Sequence, residues 1–407
     1  MARVLENIGK EFLRRNGIPT PDFLVVDDVK GARRAAGELG YPVVIKALVT
    51  VGKRGKAGAV RFAENPEETE KIAQEILSMT VRNFPVEKLL IEKKLDIAQE
   101  LYVSIAFDSS ERAPIIIASC VGGIDIEEIA RTQPEKIVKC HVNIREGLYQ
   151  YKAKEIWSDL GLASSTLQKA TSILWRLYQI FEKYDATIIE INPLAMTSEG
   201  DLVAVAILMG VDDDALYRQP DLSDKVEAGS DRAWRPLTAL EKEMVAVDRS
   251  ESYRGTARYT EMEGGEIGFL CGGGGGSLLV YDTVLRYGGK PANYTEFGGN
   301  PTETKVIGLV KGVLSKPGVR SFFMDANITN NTQTDVVAKG IIKAFEEMNI
   351  DPKRFPTLVR LAGVNDSEAR RLFSEAGIEY YGDDVTMEDA ARLLVDKMKK
   401  AYSGEVR

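Results

Sequence analysis

Five consecutive glycines, Gly272 to Gly276, separate an apolar run, Glu266-Ile-Gly-Phe-Leu-Cys271, from an amphipathic one that opens at Ser277. A strand–glycine–helix passage of this kind leaves main-chain amides open to an anion, so Gly272, Gly273 and Gly274 are candidates to stabilise a phosphoryl group. Close helix–strand packing is the second explanation of the run. A dinucleotide fingerprint is the third: Glu296 ends the next strand where a ribose-binding acid would sit, but Ser277 stands where Gly or Ala should follow. Near the other end, Val43-Val-Ile-Lys46 leads into Gly52-Lys-Arg-Gly-Lys-Ala-Gly58. No Gly-Lys-Ser/Thr completes a P-loop there, so this segment is either a basic hairpin that closes over phosphates or a solvated turn. Lys46 lies on an apolar strand, and a buried ammonium needs a carboxylate or phosphate partner. Two anion-handling segments in one chain point to phosphoryl transfer.

Other residue types add to this chemistry. Glu190-Ile-Asn192 places a carboxylate and an amide oxygen two residues apart on a strand, on one face, where hard cations such as Mg2+ bind. Asp212-Asp-Asp214 could extend that site, although a helix cap is the better reading. Arg360, ending Thr357-Leu-Val-Arg-Leu361, could offer its fork to a carboxylate, or pair with a neighbouring helix. The single histidine, His141, sits in an alternating strand and reads as structural; a phosphohistidine would have to come from another chain.

These residues need elements to hold them. A length of 407 residues supports more than one core. From Glu266 onward strands and helices alternate: strands 266–271, 292–297, 320–325, 357–361 and 378–381, with helices 277–287, 302–314, 334–348, 366–376 and 386–401. That order predicts a flavodoxin-like, doubly wound parallel sheet, whose ligands gather at the carboxyl ends of its strands. Four such ends carry Gly272–Gly276, Gly298–Pro301, Asn327–Thr332 and Gly363–Asn365. The first half mixes helices with strands at Pro42–Lys46, Lys88–Glu92, Leu101–Phe107, Pro114–Ala118 and Thr187–Ile191 and reads as α+β. The polar, proline-interrupted stretch from Arg218 to about Gly264 reads as the connection. The expected division is therefore 1–240, a linker 241–264, and 265–407. Charged residues make up 28% and net charge is −8, which disfavours nucleic acid as the main partner, and no apolar run is long enough to span a membrane. Cys120, Cys140 and Cys271 show no metal-ligand spacing or disulfide framework, which fits a reducing cytoplasm without export.

Taken together, Val44-Ile-Lys46, Gly52–Gly58, Asp96-Ile-Ala-Gln-Glu-Leu-Tyr102, Gly122-Gly-Ile-Asp-Ile-Glu127, Glu190-Ile-Asn-Pro-Leu194 and Leu216-Tyr-Arg-Gln-Pro-Asp-Leu222 resemble the nucleotide-binding subunit of the ADP-forming acyl-CoA synthetase family. The resemblance covers nearly the whole chain and spans succinyl-CoA synthetase β chains, citryl-CoA synthetase large subunits and the amino-terminal part of ATP-citrate lyase. It implies an ATP-grasp fold for residues 1–240 and a flavodoxin-like CoA-ligase domain for 265–407. By position it implies a nucleotide pocket of Lys46, Gly52, Lys53, Arg54, Gly55, Glu92, Leu95 and Glu100, with Asn192 as a magnesium ligand. Ala206 departs from the family's second magnesium-ligating aspartate, so either Asp212 or Glu190 substitutes or nucleotide chemistry is weakened. The loops after Asn293 and Ile328 look closer to the citrate-using members, which assigns citrate to Gly298, Gly299, Asn330, Asn331, Thr332 and Arg360. The implied reaction is ATP-driven formation of citryl-CoA, with ATP, Mg2+ and CoA, through citryl phosphate and a phosphohistidine of a CoA-binding partner subunit in a hetero-oligomer. Succinate in place of citrate, and a non-catalytic subunit that has lost Mg-ATP turnover, are the alternatives.

Overall fold

The computed structural model describes residues 2–52, 54–123, 126–226, 235–251 and 253–402. They divide into two compact units, Met1–Pro236 and Leu237–Arg407.

Among its described residues the first unit holds a small and a large antiparallel sheet, together with a two-stranded ribbon of Thr80–Val81 and Phe84–Pro85. Strands Phe23–Val26, Leu89–Lys93, Val43–Ala47 and Val60–Ala63 lie side by side in that order. Helices Val29–Leu39 and Pro66–Leu77 cover them with small apolar residues, Ala32, Ala35, Ala36, Ala73 and Ile76. The sequence marks both helix starts: Asp28 accepts from the Gly31 amide, and Asn65 accepts from the Glu68 amide at 2.9 Å with Pro66 at the first helical position. The larger sheet runs Ala2–Val4, Ile207–Val211, Ala186–Thr197, Ile97–Asp108, Ala113–Ser119, Ile137–His141, with Leu202–Ala204 also paired to Ala186–Thr197. Helix Ser164–Lys183 turns Ala170, Ile173, Leu174, Leu177, Tyr178 and Phe181 toward its core, the spacing of one helical face. His141 ends the outermost strand, with Nε2 2.9 Å from Asp108 Oδ2, an exposed contact consistent with a structural role.

The second unit carries one sheet in the order Thr256–Glu261, Asn293–Gly298, Ile267–Gly272, Ser321–Gln333, Thr357–Val364, Glu379–Tyr381. All neighbours are parallel except the edge strand Thr256–Glu261. Numbered along the chain, the parallel strands read second, first, third, fourth, fifth, the flavodoxin-like order, and the direction of winding changes between Ile267–Gly272 and Ser321–Gln333. Alternate residues feed two cores. Leu270, Phe322, Met324 and Phe297 pack with helices Glu303–Ser315 and Thr334–Glu347, while Phe269, Cys271 and Phe323 pack with helices Gly274–Arg286 and Met387–Tyr402.

Three expectations change. The stretch 241–264 is no linker: Thr238 and Glu241 form a capping box that opens helix Ala239–Ser250, and Thr256–Glu261 pairs antiparallel with Asn293–Gly298. Its polarity is that of a sheet edge. The helix after the glycines begins at Gly274, three residues earlier than the residue pattern suggests. The strand expected to end at 325 continues to Gln333 through irregular pairing with Ala362 and Val364, drawing Asn327–Thr332 out as an extended rim.

One row across this sheet is charged. Glu296, Cys271, Asp325 and Arg360 are register neighbours on successive strands. Asp325 is fully buried, its Oδ2 has no hydrogen-bond partner, and Arg360 stands at a long 3.5 Å from Oδ1. Burial pushes the carboxyl up to about 8, overriding the lowering by Arg360, whose guanidinium is spent on the Ala326 carbonyl and, at 2.9 Å, on the Val385 carbonyl. A carboxyl that holds its proton more tightly folded than unfolded (about 3.9) contributes stability fully at acid pH and loses it as pH rises through about 8. The melting temperature of the second unit's transition should fall between pH 6 and pH 9, and Asp325→Asn should flatten that slope; an unchanged slope in the variant would contradict the assignment.

Candidate functional site

Lys46 ends its apolar strand against a closed cluster of charge. Its Nζ lies 3.2 Å from Glu6 Oε1 and 2.5 Å from Glu92 Oε1, and it donates to the Val205 carbonyl at 3.0 Å. Lys10 repeats the pattern, 3.1 Å from Glu6 Oε1 and hydrogen-bonded to Glu92 Oε2. Arg54, reaching in from the glycine-rich loop, bonds Glu6 Oε2 and donates to the Ala47 carbonyl at 3.0 Å. The side chains of Glu6, Glu92, Lys10 and Lys46 are 5% exposed or less, so little water screens them. Three cations against two carboxylates leave one positive charge in excess in a site of low dielectric. Burial alone would raise the Glu6 carboxyl; Arg54, then Lys46 and Lys10, hold it far below the usual range instead. Burial and the Lys46 charge lower Lys10, whereas Glu6 and Glu92 overcome burial to keep Lys46 firmly charged. A buried excess of positive charge has one natural complement, an anion. Glu6 and Lys10 were missed in the sequence reading, although an acid and a base four apart on a helix that also buries Ile8, Phe12 and Leu13 is a readable signal.

The remaining nucleotide-pocket candidates border this cluster. The loop from Gly52 to Gly58 turns back on itself, with Gly58 N on the Gly55 carbonyl at 3.0 Å, and exposes Gly55, Lys56 and Ala57 while sending Arg54 inward. Lys53 lies outside the described residues. Leu95 sits in the crossing from the small sheet to the large one, clamped by Lys94 N on the Pro42 carbonyl and Ser198 N on the Asp96 carbonyl. Glu100 lies on the large sheet against Gly123; a side chain at Gly123, whose φ is +72°, would collide with its carboxylate. Gly123 N in turn donates to Asn192 Oδ1 at 2.7 Å. The Asn192 amide donates to the Ala206 carbonyl at 3.2 Å, one residue from the Val205 carbonyl that Lys46 holds. Lys46, Ala206, Asn192 and Glu100 thus follow one another along a single wall.

A metal has few ligands on that wall. Among the described residues no group of three or more His, Cys, Asp or Glu could hold one. Asp212 is no substitute for Ala206: it accepts from the Asp214 amide at 3.0 Å as the cap of a short helix, and its own amide bonds Asp185 before the start of strand Ala186–Thr197. Glu190 accepts from Tyr102 at 2.9 Å, and burial together with this carboxylate pushes the phenol up. One amide oxygen and one carboxylate suit an ion that arrives on a ligand's phosphates, not one caged by protein alone.

In the second unit, Gly272, Gly273, Phe297, Gly299, Ala326, Thr329, Asn331, Thr332 and Leu361 line a crevice at the carboxyl ends of the strands. Thr332 is buried and donates to the Gly299 carbonyl at 2.8 Å, Asn327 leans on Gly273, and the Thr329 hydroxyl is buried without a partner. A Cβ at Gly276 would meet Asn327 Oδ1, so a larger residue there would push the Asn327 side chain out of its place. Several placements differ from expectation. The Gly273 amide is spent on the Phe297 carbonyl at 3.1 Å and Gly272 belongs to the sheet, so the amides a helix leaves unsatisfied are those of Gly274, Gly275 and Gly276. Arg360 faces away: Phe297, Gly272, Ala326 and Leu361 form the crevice floor, and Arg360, one residue from Leu361, points to the opposite face. Glu296 is on that opposite face too, accepting from Ser277 at 3.1 Å, so it is not offered to a ribose and the dinucleotide reading falls. Gly298 ends its strand and Asn330 is exposed on the rim; neither lines the crevice. Arg254, not foreseen, ties the rim together, donating to the Asn300 carbonyl at 2.8 Å and to Gln333 Oε1 at 2.6 Å.

Charge-assisted hydrogen bonds contribute about 1.5–3 kcal/mol each. Lys46→Met, which removes the excess charge, should weaken ADP binding about ten- to hundredfold by calorimetric titration; unchanged affinity would remove the cluster from consideration as an anion site.

Residues 3–196 match the family described as ATP-grasp domain, and residues 235–396 the family described as ATP citrate lyase citrate-binding. The chain is 36% identical to the β subunit of succinate–CoA ligase [ADP-forming] from Ignicoccus hospitalis, over 98% of this chain and 100% of that protein. It is 37% identical to the Rubrobacter xylanophilus subunit of the same name, covering 96% and 97%, and 36% identical to the β subunit of succinate–CoA ligase [GDP-forming] from Thermus thermophilus, covering 95% and 96%. The structure of ATP citrate lyase from Methanothrix soehngenii in complex with citrate and coenzyme A superposes with a TM-score of 0.80 over 97% of this chain and 100% of that one, at 20% identity, a likeness of fold. The chain belongs to the ADP-forming acyl-CoA synthetase family, in the line of its nucleotide-binding subunits.

Proposed function

We propose that this chain is the nucleotide-binding subunit of an ADP-forming citrate–CoA ligase. ATP occupies the first unit, its phosphates meeting Lys46 and Arg54; Asn192 and Glu190 would hold a magnesium ion, which would offset the charge of the phosphates. The γ-phosphoryl group passes to a histidine of a CoA-binding partner subunit, since His141 is bound to Asp108 at a sheet edge. The phosphohistidine is then received by the first-turn amides of Gly274–Gly276. A citrate carboxylate oxygen attacks the phosphorus as the histidine–phosphorus bond breaks, and the CoA thiol displaces phosphate from citryl phosphate to give citryl-CoA.

The observation that carries citrate is the crevice beside those amides. Thr329 and Asn331 supply neutral donors for a hydroxylated acid, the Thr329 hydroxyl is left without a partner while Thr332 is spent on the Gly299 carbonyl, and Arg254 at the rim takes the cationic role first given to Arg360. The match of residues 235–396 to the citrate-binding family supports the same choice. Succinate is the second reading, favoured by curated relatives at 34–37% identity that are named succinate–CoA ligases. The third, a subunit without Mg-ATP turnover, draws on the methyl group at Ala206. The reducing cytoplasm proposed for the protein agrees with its three free cysteines, and no helix among the described residues is long and apolar enough to cross a membrane.

Thr329→Val separates these readings in the assembled complex. It removes a hydroxyl that has no partner in the free chain, so stability should hold, while the KM for citrate should rise about five- to tenfold with kcat nearly unchanged. Turnover of succinate but not citrate would move the assignment to the second reading. Failure of labelled ATP to phosphorylate a partner histidine would move it to the third.

A further inference from the structure

The buried cluster contains a carboxylate that a nucleotide site has no obvious use for. Glu6 bonds all three cations, Lys10, Lys46 and Arg54, including the two assigned to phosphate above. Each of these cations also has a second anchor that does not involve Glu6. Arg54 holds the Ala47 carbonyl, Lys46 holds Glu92 and the Val205 carbonyl, and Lys10 holds Glu92. Glu6 in turn keeps Lys10, one turn along its own helix, whatever happens to the other two. An incoming anion can therefore take Arg54 and Lys46 from Glu6 without leaving any buried charge unpaired. Apart from Arg54 the loop is held by its own main chain, Gly58 N on the Gly55 carbonyl and Ala59 N on the Arg54 carbonyl at 3.0 Å each, and by Arg61 on the Gly58 carbonyl, while Gly55, Lys56 and Ala57 are exposed.

We propose that Glu6 is an internal stand-in for a nucleotide phosphate, latching the glycine-rich loop through Arg54 until a bound phosphate takes its place. This rests on the reading of Lys46 and Arg54 as phosphate ligands. The consequence is opposite to that of an ordinary stabilising ion pair. Removing the competing carboxylate frees the loop and also strengthens anion binding, because the phosphate no longer has to displace it.

The test uses the full chain, with ADP and inorganic tripolyphosphate as probes, and hydrogen exchange of the amides from 54 to 59 as the loop readout. In Glu6→Gln, loop exchange without ligand should accelerate at least fivefold and tripolyphosphate should bind about tenfold more tightly. Glu6→Asp, which keeps the charge and shortens the reach to Arg54, should move both readouts the same way by a smaller factor and serves if the Gln variant does not fold. Weaker or unchanged binding in the folded variants, or an unchanged loop, overturns the latch while leaving the nucleotide site intact. Absence of ADP and tripolyphosphate binding by the wild-type chain at millimolar concentration overturns the site and the latch together.

Discussion

An ammonium group taken out of water must be matched by negative charge, and the matching is never free of consequence. In the first unit Lys46 and Lys10 are both taken out of water, and the two carboxylates that match them are shared, so that adding Arg54 leaves the group one positive charge in excess. That excess ties the architecture together. It draws on helix Glu6–Arg15, strands Val43–Ala47 and Leu89–Lys93, the glycine-rich loop and the Val205–Ala206 turn beside the larger sheet. Contrast Lys316 and Lys305 in the second unit. Lys316 is surrounded by the carbonyls of Met262, Gly264 and Ala292, and Lys305 by those of Glu251 and Gly255 with Asp248 at 3.4 Å. Those lysines are finished by backbone oxygens and staple loops; the first-unit cluster is finished by the carboxylates of Glu6 and Glu92.

The second unit solves a different problem, how to hold charge without placing a charged side chain on the floor. Its crevice floor is Phe297, Gly272, Ala326 and Leu361, and the donors above it are hydroxyls, an amide side chain and helix-start amides. The ionisable residues of the same strands, Glu296, Asp325 and Arg360, occupy the adjacent row and face the other way. A preorganised neutral cradle holds a transferring phosphoryl group through dipoles and needs no reorganisation when the group leaves. On the proposed reading the labour divides: side-chain charge for the nucleotide, main-chain amides for the group in transit.

Much of this was legible from residue order. The alternation of period-two and helical patterns after Glu266 located all five parallel strands, and their number and order of helices made the doubly wound sheet the natural outcome. The strand at Val43–Ala47 announced Lys46 as a buried cation. What escaped notice escaped for physical reasons. Arg360 sits one residue from the crevice-lining Leu361, and only sheet register decides which of two neighbours faces which side. The glycines were read as a loop because propensity disfavours them in a helix, but Asn327 packs closely against Gly276 and would have to move for a larger residue. The edge helix and strand at 239–261 looked like a linker because an element with one solvated side is polar. Glu6 was passed over because two of its partners lie 40 and 48 positions away and the third, Lys10, shares a helix face that charge alone marks as surface.

The central claim is that the cations of this cluster, Lys46 and Arg54 foremost, receive phosphate. Side-chain nitrogen resonances of 15N-labelled lysines report it at the atom concerned. On addition of ADP the Lys46 Nζ signal should shift and Lys10 should follow through their shared carboxylates, while Lys305 and Lys316, closed by backbone carbonyls, should stay fixed. A bound ADP that leaves the Lys46 resonance where it stands in the free chain would contradict the account.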